Sequence, residues 1–355
     1  MNAVQSNPAA TAEELATAEV TTSAGLWHDV WNRFKRNPIA IMGFYVVCVL
    51  AFMALFADFL ANDKPYYLRY GGKTYFPILR SYIVGARLGH WPAELLNVDF
   101  KKLDDARAVF PPVPYRPTNI NLLEPLEPPS RKHWLGTDKL GRDVMAGMIH
   151  GSRISLSIGF VAVGIAVIIG LVLGAIAGYF AGWMDLVISR LFEIMLSIPT
   201  FFLLITVAAL LPPSIFLTMA IIGATSWVGI ARFTRNEFLR IRSQDYVTSA
   251  IALGVGNRKV MFKHILPNAL APVIVSVVLG IAGAILVESS LSFLGIGVPA
   301  ELVTWGSILQ EASTTTFAWW LAVFPGLAIF ITVLAYYLVG EGLREVLDPR
   351  LRGLR

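Results

Sequence analysis

Few residues of this chain have types and spacings that could support chemistry, and the first candidate is a pair of aspartates. Asp138 and Asp143 lie five positions apart in the segment HWLGTDKLGRD, residues 133–143. Two carboxylates could contribute to a metal site, but the roughly six oxygen ligands that hard cations prefer are not supplied nearby. Aspartate also caps helix N-termini and pairs with arginine, and Arg142 is close to both. We therefore favour capping and an Arg142 ion pair over metal binding.

Other motifs with a chemical use are incomplete. Gly72-Lys73-Thr74 has the ending of a phosphate-binding loop, but the position that requires its first glycine is Tyr67. The single cysteine, Cys48, lies in an apolar run and excludes an intrachain disulfide framework. The five histidines are scattered without the spacing of metal ligands. We therefore predict no catalytic, metal or cofactor-binding residues, and a protein that is not an enzyme.

The composition is that of a membrane protein. Of 355 residues, 55% are hydrophobic and only 15% are charged, whereas soluble domains are roughly 45–50% apolar and about 25% charged. The net charge of +5 arises from basic residues beside apolar runs rather than on one soluble face, so it does not indicate nucleic-acid binding. We predict an all-α polytopic protein embedded in a lipid bilayer.

Six apolar runs are long enough to cross the hydrocarbon core as helices. The predicted spans are residues 39–60, 154–180, 186–211, 214–231, 269–287 and 317–339. The other predicted segments are a disordered tail (1–25), an amphipathic interfacial helix (26–38), a proline-rich and aromatic insert (61–150), a transmembrane core (151–340) and a charged tail (341–355). The prolines of the insert favour extended, irregular chain, and we expect a small cap.

Basic residues indicate the orientation of these spans. Arg33, Lys35 and Arg36 precede the first span, and the short loop at residues 232–268 is rich in arginine and lysine. Basic residues concentrate in short cytoplasmic loops, so we expect both termini and this loop in the cytoplasm. The insert at 61–150 then lies outside.

Residues 243–268 within that loop predict a helical elbow. Asp245 suits a helix N-terminus, and apolar residues follow at helical spacing. Gly254 and Gly256 predict a break, Asn257 can cap a second short helix, and Pro267 discourages its continuation. A solvated loop is the alternative interpretation. A rigid elbow would instead present an apolar and basic surface to a soluble partner.

Small, proline and charged residues within the spans predict packing and pathway positions. Gly170, Gly174 and Gly178 repeat at intervals of four, which favours close packing of helices in lipid. Pro199 interrupts the third span and is expected to kink it. Charged groups at membrane depth are functional candidates, which singles out Glu193 and Glu288. Arg190, three residues before Glu193, makes a structural ion pair an equal alternative there, and Glu288 could be a simple interface residue.

The elbow resembles the "EAA" loop of ABC importer permeases. The matching residues are Ala250, Gly254, His264, Leu266 and Pro267, although Thr248 and Ser249 stand where glutamate and alanine are usual. Residues 133–143 and the surroundings of Asp245 resemble the dipeptide and oligopeptide branch of these permeases. Asn62-Asp63-Lys64-Pro65 is similar to its Yej-type subgroup, associated with microcin C and oligopeptides.

This resemblance implies the type I importer permease fold in a bacterial inner membrane. It implies a heterodimer with a sister permease, two ATPase subunits that carry ATP and magnesium, and an extracytoplasmic solute-binding protein. An ATPase would dock on the elbow, where Asp245, Gly256 and Lys263 accompany the matching residues. This chain itself would bind no cofactor.

Two other classes of function stay open at this point. A secondary transporter would work without ATP, but the chain has no visible internal duplication and no mid-span proton relay. A membrane scaffold would use the elbow only to recruit a partner. Within the importer class, peptides are the expected cargo, with nickel, opines or modified peptides as alternatives.

Overall fold

The computed structural model describes residues 23–88, 90–96, 98–103, 107–299 and 301–347. Residues 1–22 of the predicted 1–25 tail lie outside the described residues. Residues 348–355 of the predicted 341–355 tail do so as well. The helices are α1 Ser23–Phe34, α2 Pro38–Leu55, α3 Ala57–Leu60, α4 Pro77–Gly85, α5 Val144–Phe180, α6 Gly182–Ser197, α7 Thr200–Leu210, α8 Ile215–Arg242, α9 Asp245–Ala252, α10 Asn257–Lys259, α11 Leu266–Phe293, α12 Trp305–Ser313 and α13 Trp320–Leu347.

The expected helical membrane fold is confirmed. Five helices, α2, α5, α8, α13 and the continuous Asn257–Phe293 segment that contains α11, are long and apolar enough to cross a membrane. Helices α6 and α7 pass the same test together, but the chain bends by 78° between them. Counted as one broken span, this pair brings the number in the described residues to six.

Several predicted boundaries differ from the observed helices. The first span ends at Leu55, because the chain breaks at Phe56 before the short α3. Helix α5 begins at Val144, ten residues before the predicted span, because Asp143 caps it. Helix α8 continues to Arg242 instead of ending at residue 231, and α1 begins at Ser23 within the predicted tail. Hydropathy locates the apolar part of each helix but not its polar ends.

Pro325 does not break the sixth span. Helix α13 runs without interruption from Trp320 to Leu347. Pro325 lies in its second turn, so the carbonyl that its ring displaces belongs to the loosely bonded start of the helix. The predicted tail from residue 341 is helical as far as Leu347.

The insert contains regular secondary structure, in contrast to the extended, irregular chain predicted from its prolines. Strands β1 (Tyr67–Tyr70), β2 (Lys73–Tyr75) and β3 (Arg107–Val109) form an antiparallel sheet in the order β2-β1-β3, and α4 follows β2. Leu68, Leu95 and Phe100 form its small buried core. An otherwise all-α chain therefore carries one small mixed unit between α3 and α5.

The main core lies between α5, α8, α11 and α13. Its centre holds Ile158, Ile222 and Ile285, each 0% exposed. Helix α1 packs through Val30 and Phe34 on the ends of α2 and α13. These contacts place the N-terminal helix beside the same ends of the bundle as the elbow between α8 and α11.

Candidate coupling site

The first half of the elbow is helix α9, which ends in a glycine turn. Gly254 has φ +78°, the left-handed conformation expected from the sequence. Its N–H donates to the carbonyl of Ile251 at 3.0 Å, and Val255 N–H donates to that of Ala250 at 3.1 Å. This pair of bonds is the Schellman motif, which closes a helix end and requires a residue that tolerates positive φ. The direction of the chain after α9 therefore depends on Gly254.

The second half of the elbow is continuous with the spanning helix α11. Gly256 occupies the cap position of α10, and Asn257 is its first helical residue rather than its cap. A π-helical turn at Val260–Ile265 follows, in which Leu266 N–H donates to the carbonyl of Met261 five residues back. The expectation that Pro267 ends the helix is wrong, because this wider turn makes room for the proline ring.

The inner face of the elbow is anchored to the ends of two long helices. Val247, Val260 and Ile265 are fully buried and pack with Phe238 of α8 and Tyr179 of α5. A displacement of the elbow would therefore be transmitted directly to α5 and α8.

Hydrogen bonds add to this anchorage. The Tyr179 hydroxyl donates to Asn257 Oδ1 at 2.9 Å. Asn268 Nδ2 donates to the Tyr246 hydroxyl at 3.2 Å and to the His264 carbonyl at 2.9 Å. Burial raises the pKa of the Tyr246 phenol, so this hydroxyl stays neutral at physiological pH.

The outer face of the elbow is apolar and exposed. Leu253 is 84% exposed and Phe262 is 66% exposed, and Tyr246 and Ile251 are also exposed. Exposed basic side chains surround them at Arg258, Lys259 and Lys263. Such an apolar patch rimmed by charge is typical of a protein–protein contact site.

The other predicted coupling residues divide between the two faces. Ala250 is buried on the inner face, and His264 and Leu266 are half-buried. The exposed members of the predicted set are Asp245, Gly254, Gly256, Lys263 and Pro267. The sequence motif therefore combines positions that shape the elbow with positions that a partner can reach. Sequence reasoning missed Phe262, whose π-turn position is not visible in a regular helical pattern.

The predicted glycine stripe lies along α8. A Cβ added at Gly170 would lie 2.9 Å from the Trp227 carbonyl oxygen, and one at Gly174 would lie 2.4 Å from that of Ala231. A Cβ added at Gly178 would lie 2.6 Å from the carbonyl oxygen of Arg235, which is also in α8. Helices α5 and α8 thus approach at backbone contact over about two turns.

The three pathway candidates lie in different surroundings. Arg190 and Glu193 form an ion pair on an exposed face of α6. Pro199 lies in the break between α6 and α7, the site of the 78° bend. Glu288 is 0% exposed, and Ser292 Oγ donates to its carboxylate at 2.8 Å. Since it is enclosed within this chain, Glu288 is not open to a pathway or an interface in this structure.

Residues 133–143 form a capped turn, which confirms the capping interpretation. Asp143 accepts the N–H of Ala146 and caps α5, and Asp138 pairs with Arg142. The other carboxylate oxygen of Asp143 lies 2.8 Å from Nδ1 of His133. The structure also brings together Glu124, Glu127 and His133, whose possible ligand atoms lie within 4.8 Å of one another. This group has no sequence signature, because its members do not follow a ligand spacing.

The insert is held to the bundle by a polar cluster at Asp58. Tyr82 donates to its carboxylate at 2.8 Å, and Arg153 of α5 binds the same oxygen at 2.8 Å. Burial alone raises the pKa of Asp58, but the hydrogen bonds from Tyr82 and Arg153 outweigh it, so this pKa lies below its ordinary value. The ionised carboxylate therefore joins α4 of the insert to α5.

The helical bundle defines a polytopic membrane protein, and comparison with known proteins gives its family. Residues 170–353 match the family of binding-protein-dependent transport system inner membrane components, and residues 25–77 match the N-terminal transmembrane domain of oligopeptide transport permease C. The first match covers more than half of the chain. The chain belongs to this family of transport permeases.

Curated relatives agree with this assignment. The dipeptide transport system permease protein DppC of Alkalihalophilus pseudofirmus is 32% identical over 93% of this chain and 92% of its own length. The peptidoglycan transport system permease protein YejE of Agrobacterium fabrum is 33% identical, over 90% of this chain and 92% of its own. The oligopeptide transport system permease protein OppC of Bacillus subtilis is 32% identical over 93% and 92%. The resemblance to this branch of permeases is therefore confirmed.

Proposed function

We propose that this chain is one permease subunit of an ATP-driven importer of di- and oligopeptides. It would pair with a sister permease in a bacterial inner membrane, receive cargo from an extracytoplasmic binding protein, and contact an ATPase through the elbow. The names of its relatives support peptides as the cargo class. ATP and magnesium would be bound by the ATPase subunits and not by this chain.

The observation that carries this proposal is the two-sided elbow. Leu253 and Phe262 expose apolar surface on one side, and Val247, Val260 and Ile265 bury the other side against the ends of α5 and α8. A surface patch alone would only recruit a partner. A patch fixed to the ends of long helices can also transmit the movement of that partner to the bundle.

The charge at this end of the bundle supports a cytoplasmic elbow. Arg240 and Arg242 end α8, and Arg258, Lys259 and Lys263 follow on the elbow. Because basic residues concentrate on the cytoplasmic side of a membrane, this end would face the ATPase and both termini would lie inside.

Polar side chains exposed on the broken span support a sister permease. The Arg190–Glu193 pair on α6 and Thr206 on α7 face outward from this subunit. Polar groups are costly in hydrocarbon, so such a face is better covered by protein or by a water-filled pathway than by lipid. We propose that the translocation pathway forms between this face and the sister subunit.

The mechanism follows from the rigidity of these contacts. Closure of the ATPases would push on α9 and on the π-helical turn. Helices α5 and α8 would then move together, because the glycine stripe leaves no space between their backbones. Alternating access would arise from rigid-body movement of the bundle, with the outer insert free to contribute to docking of the binding protein.

Site-directed crosslinking tests the elbow as the ATPase contact. In a Cys48→Ser background, which removes the single native cysteine, Leu253→Cys is expected to crosslink to the ATPase subunit of the co-expressed importer. Leu123→Cys is a matched control, since Leu123 is 91% exposed but belongs to the insert. Crosslinking at Leu123 and not at Leu253 would contradict the proposal.

A transport assay separates the alternatives. Proteoliposomes with the complete importer are expected to accumulate a labelled dipeptide only with ATP and binding protein. ATP-independent uptake by the purified chain alone would favour a secondary transporter. Unchanged uptake after deletion of the elbow would favour a scaffold.

A further inference from the structure

A buried histidine in the loop before α5 has a free ring nitrogen that faces two carboxylates. His133 is 2% exposed, and its Nε2 atom has no hydrogen-bond partner among the described residues. The nearest carboxylate oxygen, on Glu124, is 3.5 Å from Nε2, beyond an ordinary hydrogen bond. Glu127 completes a group whose ligand atoms lie within 4.8 Å of one another.

The hydrogen-bond partner of the other ring nitrogen, Nδ1, determines which nitrogen of His133 carries the proton. Nδ1 of His133 lies 2.8 Å from a carboxylate oxygen of Asp143. Asp143 is buried and its other oxygen accepts the N–H of Ala146 at 2.7 Å, so this carboxylate is fixed in place. A carboxylate accepts a hydrogen bond, which puts the proton on Nδ1 and leaves the Nε2 lone pair directed at Glu124 and Glu127. Carboxylate–histidine pairs of this kind orient the histidine ligands of metals.

The charges around the cluster leave a place for a cation. Lys132 Nζ binds one oxygen of Glu124, and Asn121 Nδ2 donates to the other at 2.9 Å. Among the hydrogen bonds of the described residues Glu127 takes part only through its backbone, whose N–H donates to Thr137 Oγ1 and whose carbonyl accepts from Thr137 N–H. The Nε2 lone pair of His133 thus faces the carboxylates of Glu124 and Glu127, and Lys132 binds the edge of this group.

We propose that His133, Glu124 and Glu127 bind a divalent zinc-like cation, with Asp143 positioning the histidine. One nitrogen and two carboxylate oxygens suit Zn²⁺, which accepts mixed N/O ligands in tetrahedral sites with an open position for water. Small side-chain rotations bring the ligand atoms from within 4.8 Å to the separation of about 3.4 Å that tetrahedral ligands at about 2.1 Å require. Three protein ligands including an imidazole fit Mg²⁺ and Ca²⁺ poorly, because these ions prefer six or more oxygens.

A cation here would join two parts of the outer structure. Asp143 caps α5, whereas Glu124 and Glu127 belong to the loop that leaves the insert. The Tyr115 ring lies against the His133 ring, tilted by 34° with the ring centroids 4.7 Å apart, and Tyr115 also lines a cavity of about 490 Å³ in the insert. The ion would therefore fix the loop, and one wall of that cavity, onto the N-terminus of a spanning helix.

Metal titration of the full-length chain tests this site. After removal of any affinity tag and treatment with a chelator, the protein in lipid nanodiscs is titrated with ZnCl₂ by calorimetry. One Zn²⁺ per chain is expected, with binding at least about tenfold weaker in Glu124→Gln and in Glu127→Gln. Glu94→Gln is the matched control, because Glu94 is also a carboxylate of the insert that is bound by a lysine, Lys73; the Zn²⁺ affinity of this variant is expected to equal that of the unmodified chain.

A fourth variant separates the proposed geometry from loss of folding. Asn replaces Asp143 well as a helix cap, but its amide would donate to Nδ1 and move the ring proton to Nε2. Asp143→Asn is therefore expected to weaken Zn²⁺ binding about 10–100-fold while the circular dichroism spectrum stays unchanged. Absence of stoichiometric Zn²⁺ binding to the unmodified chain would overturn the proposal. The proposal would also be overturned if the Glu124, Glu127 and Asp143 variants bound Zn²⁺ as tightly as the unmodified chain.

Discussion

Gly254 offers the sharpest test of the coupling elbow, because a matched glycine lies two residues away. Gly254 has φ +78° and Gly256 has φ −61°, and a Cβ at either position would meet nothing within 4 Å. Replacement of each by valine therefore adds the same side chain into open space. The two variants differ mainly in the backbone conformation that the valine must adopt.

The expected cost follows from this difference. A β-branched residue in the left-handed region is strained by about 1–3 kcal/mol. A value of about 2 kcal/mol lowers the population of the native turn about 30-fold relative to alternatives, since about 1.4 kcal/mol corresponds to a factor of ten. Gly256→Val keeps an allowed backbone and loses only a modest cap preference, about 1 kcal/mol or less. Neither change touches the apolar spans, so membrane insertion is expected to be normal.

The assay is the ratio of peptide uptake to ATP hydrolysis by the complete importer in proteoliposomes. Gly254→Val is expected to lower this ratio by about tenfold or more, in line with the strain estimate. Gly256→Val is expected to stay within about twofold of the unmodified importer, because its backbone is unstrained. An unchanged ratio in Gly254→Val, with the ATPase bound at normal stoichiometry, would refute the role of the glycine turn in coupling.

Two further predictions concern the bundle and the insert. Gly174→Ala is expected to destabilise the protein by about 1–3 kcal/mol, because its Cβ would lie 2.4 Å from a carbonyl oxygen of the facing helix; Gly164→Ala on the same helix, with open space at its Cβ, is the control in thermal unfolding. Because bonds to Tyr82 and Arg153 lower the pKa of Asp58, its contribution to stability is present above the ordinary value of 3.8 and is lost as pH falls through the lower folded value. The protection of the α4 amides against hydrogen exchange, relative to an unstructured chain at the same pH, is expected to fall at that acid pH, whereas in Asp58→Asn it should already be low at neutral pH. Protection of α4 that does not change with pH would contradict the assignment.

Local signals in the sequence were sufficient wherever one residue decides one turn. Gly254 required positive φ, and Asp143 and Arg142 were capping and pairing residues at a helix start. The prolines were less informative. Pro199 does break its span, but Pro267 follows a π-helical turn that accommodates it, and Pro325 lies near a helix start. A proline removes one donor in every case, and its surroundings decide whether the helix continues.

The inner and outer faces of the elbow could not be assigned from its apolar pattern. Tyr246, Val247, Ile251 and Leu253 are all apolar or aromatic, yet only Val247 is buried. Helical spacing indicates that a face exists, but the neighbouring helices decide which side they cover.

The sequence by itself determined that this is a helical membrane protein with an elbow between two spans, because hydropathy, capping and turn preferences are local properties. Only the tertiary structure decided that His133 faces Glu124 and Glu127 and that Glu288 is enclosed within the chain. Such groupings depend on contacts between segments whose order along the chain does not encode their distance. Spacing can therefore identify a ligand set on one helix or turn, but not one assembled by the path of a loop.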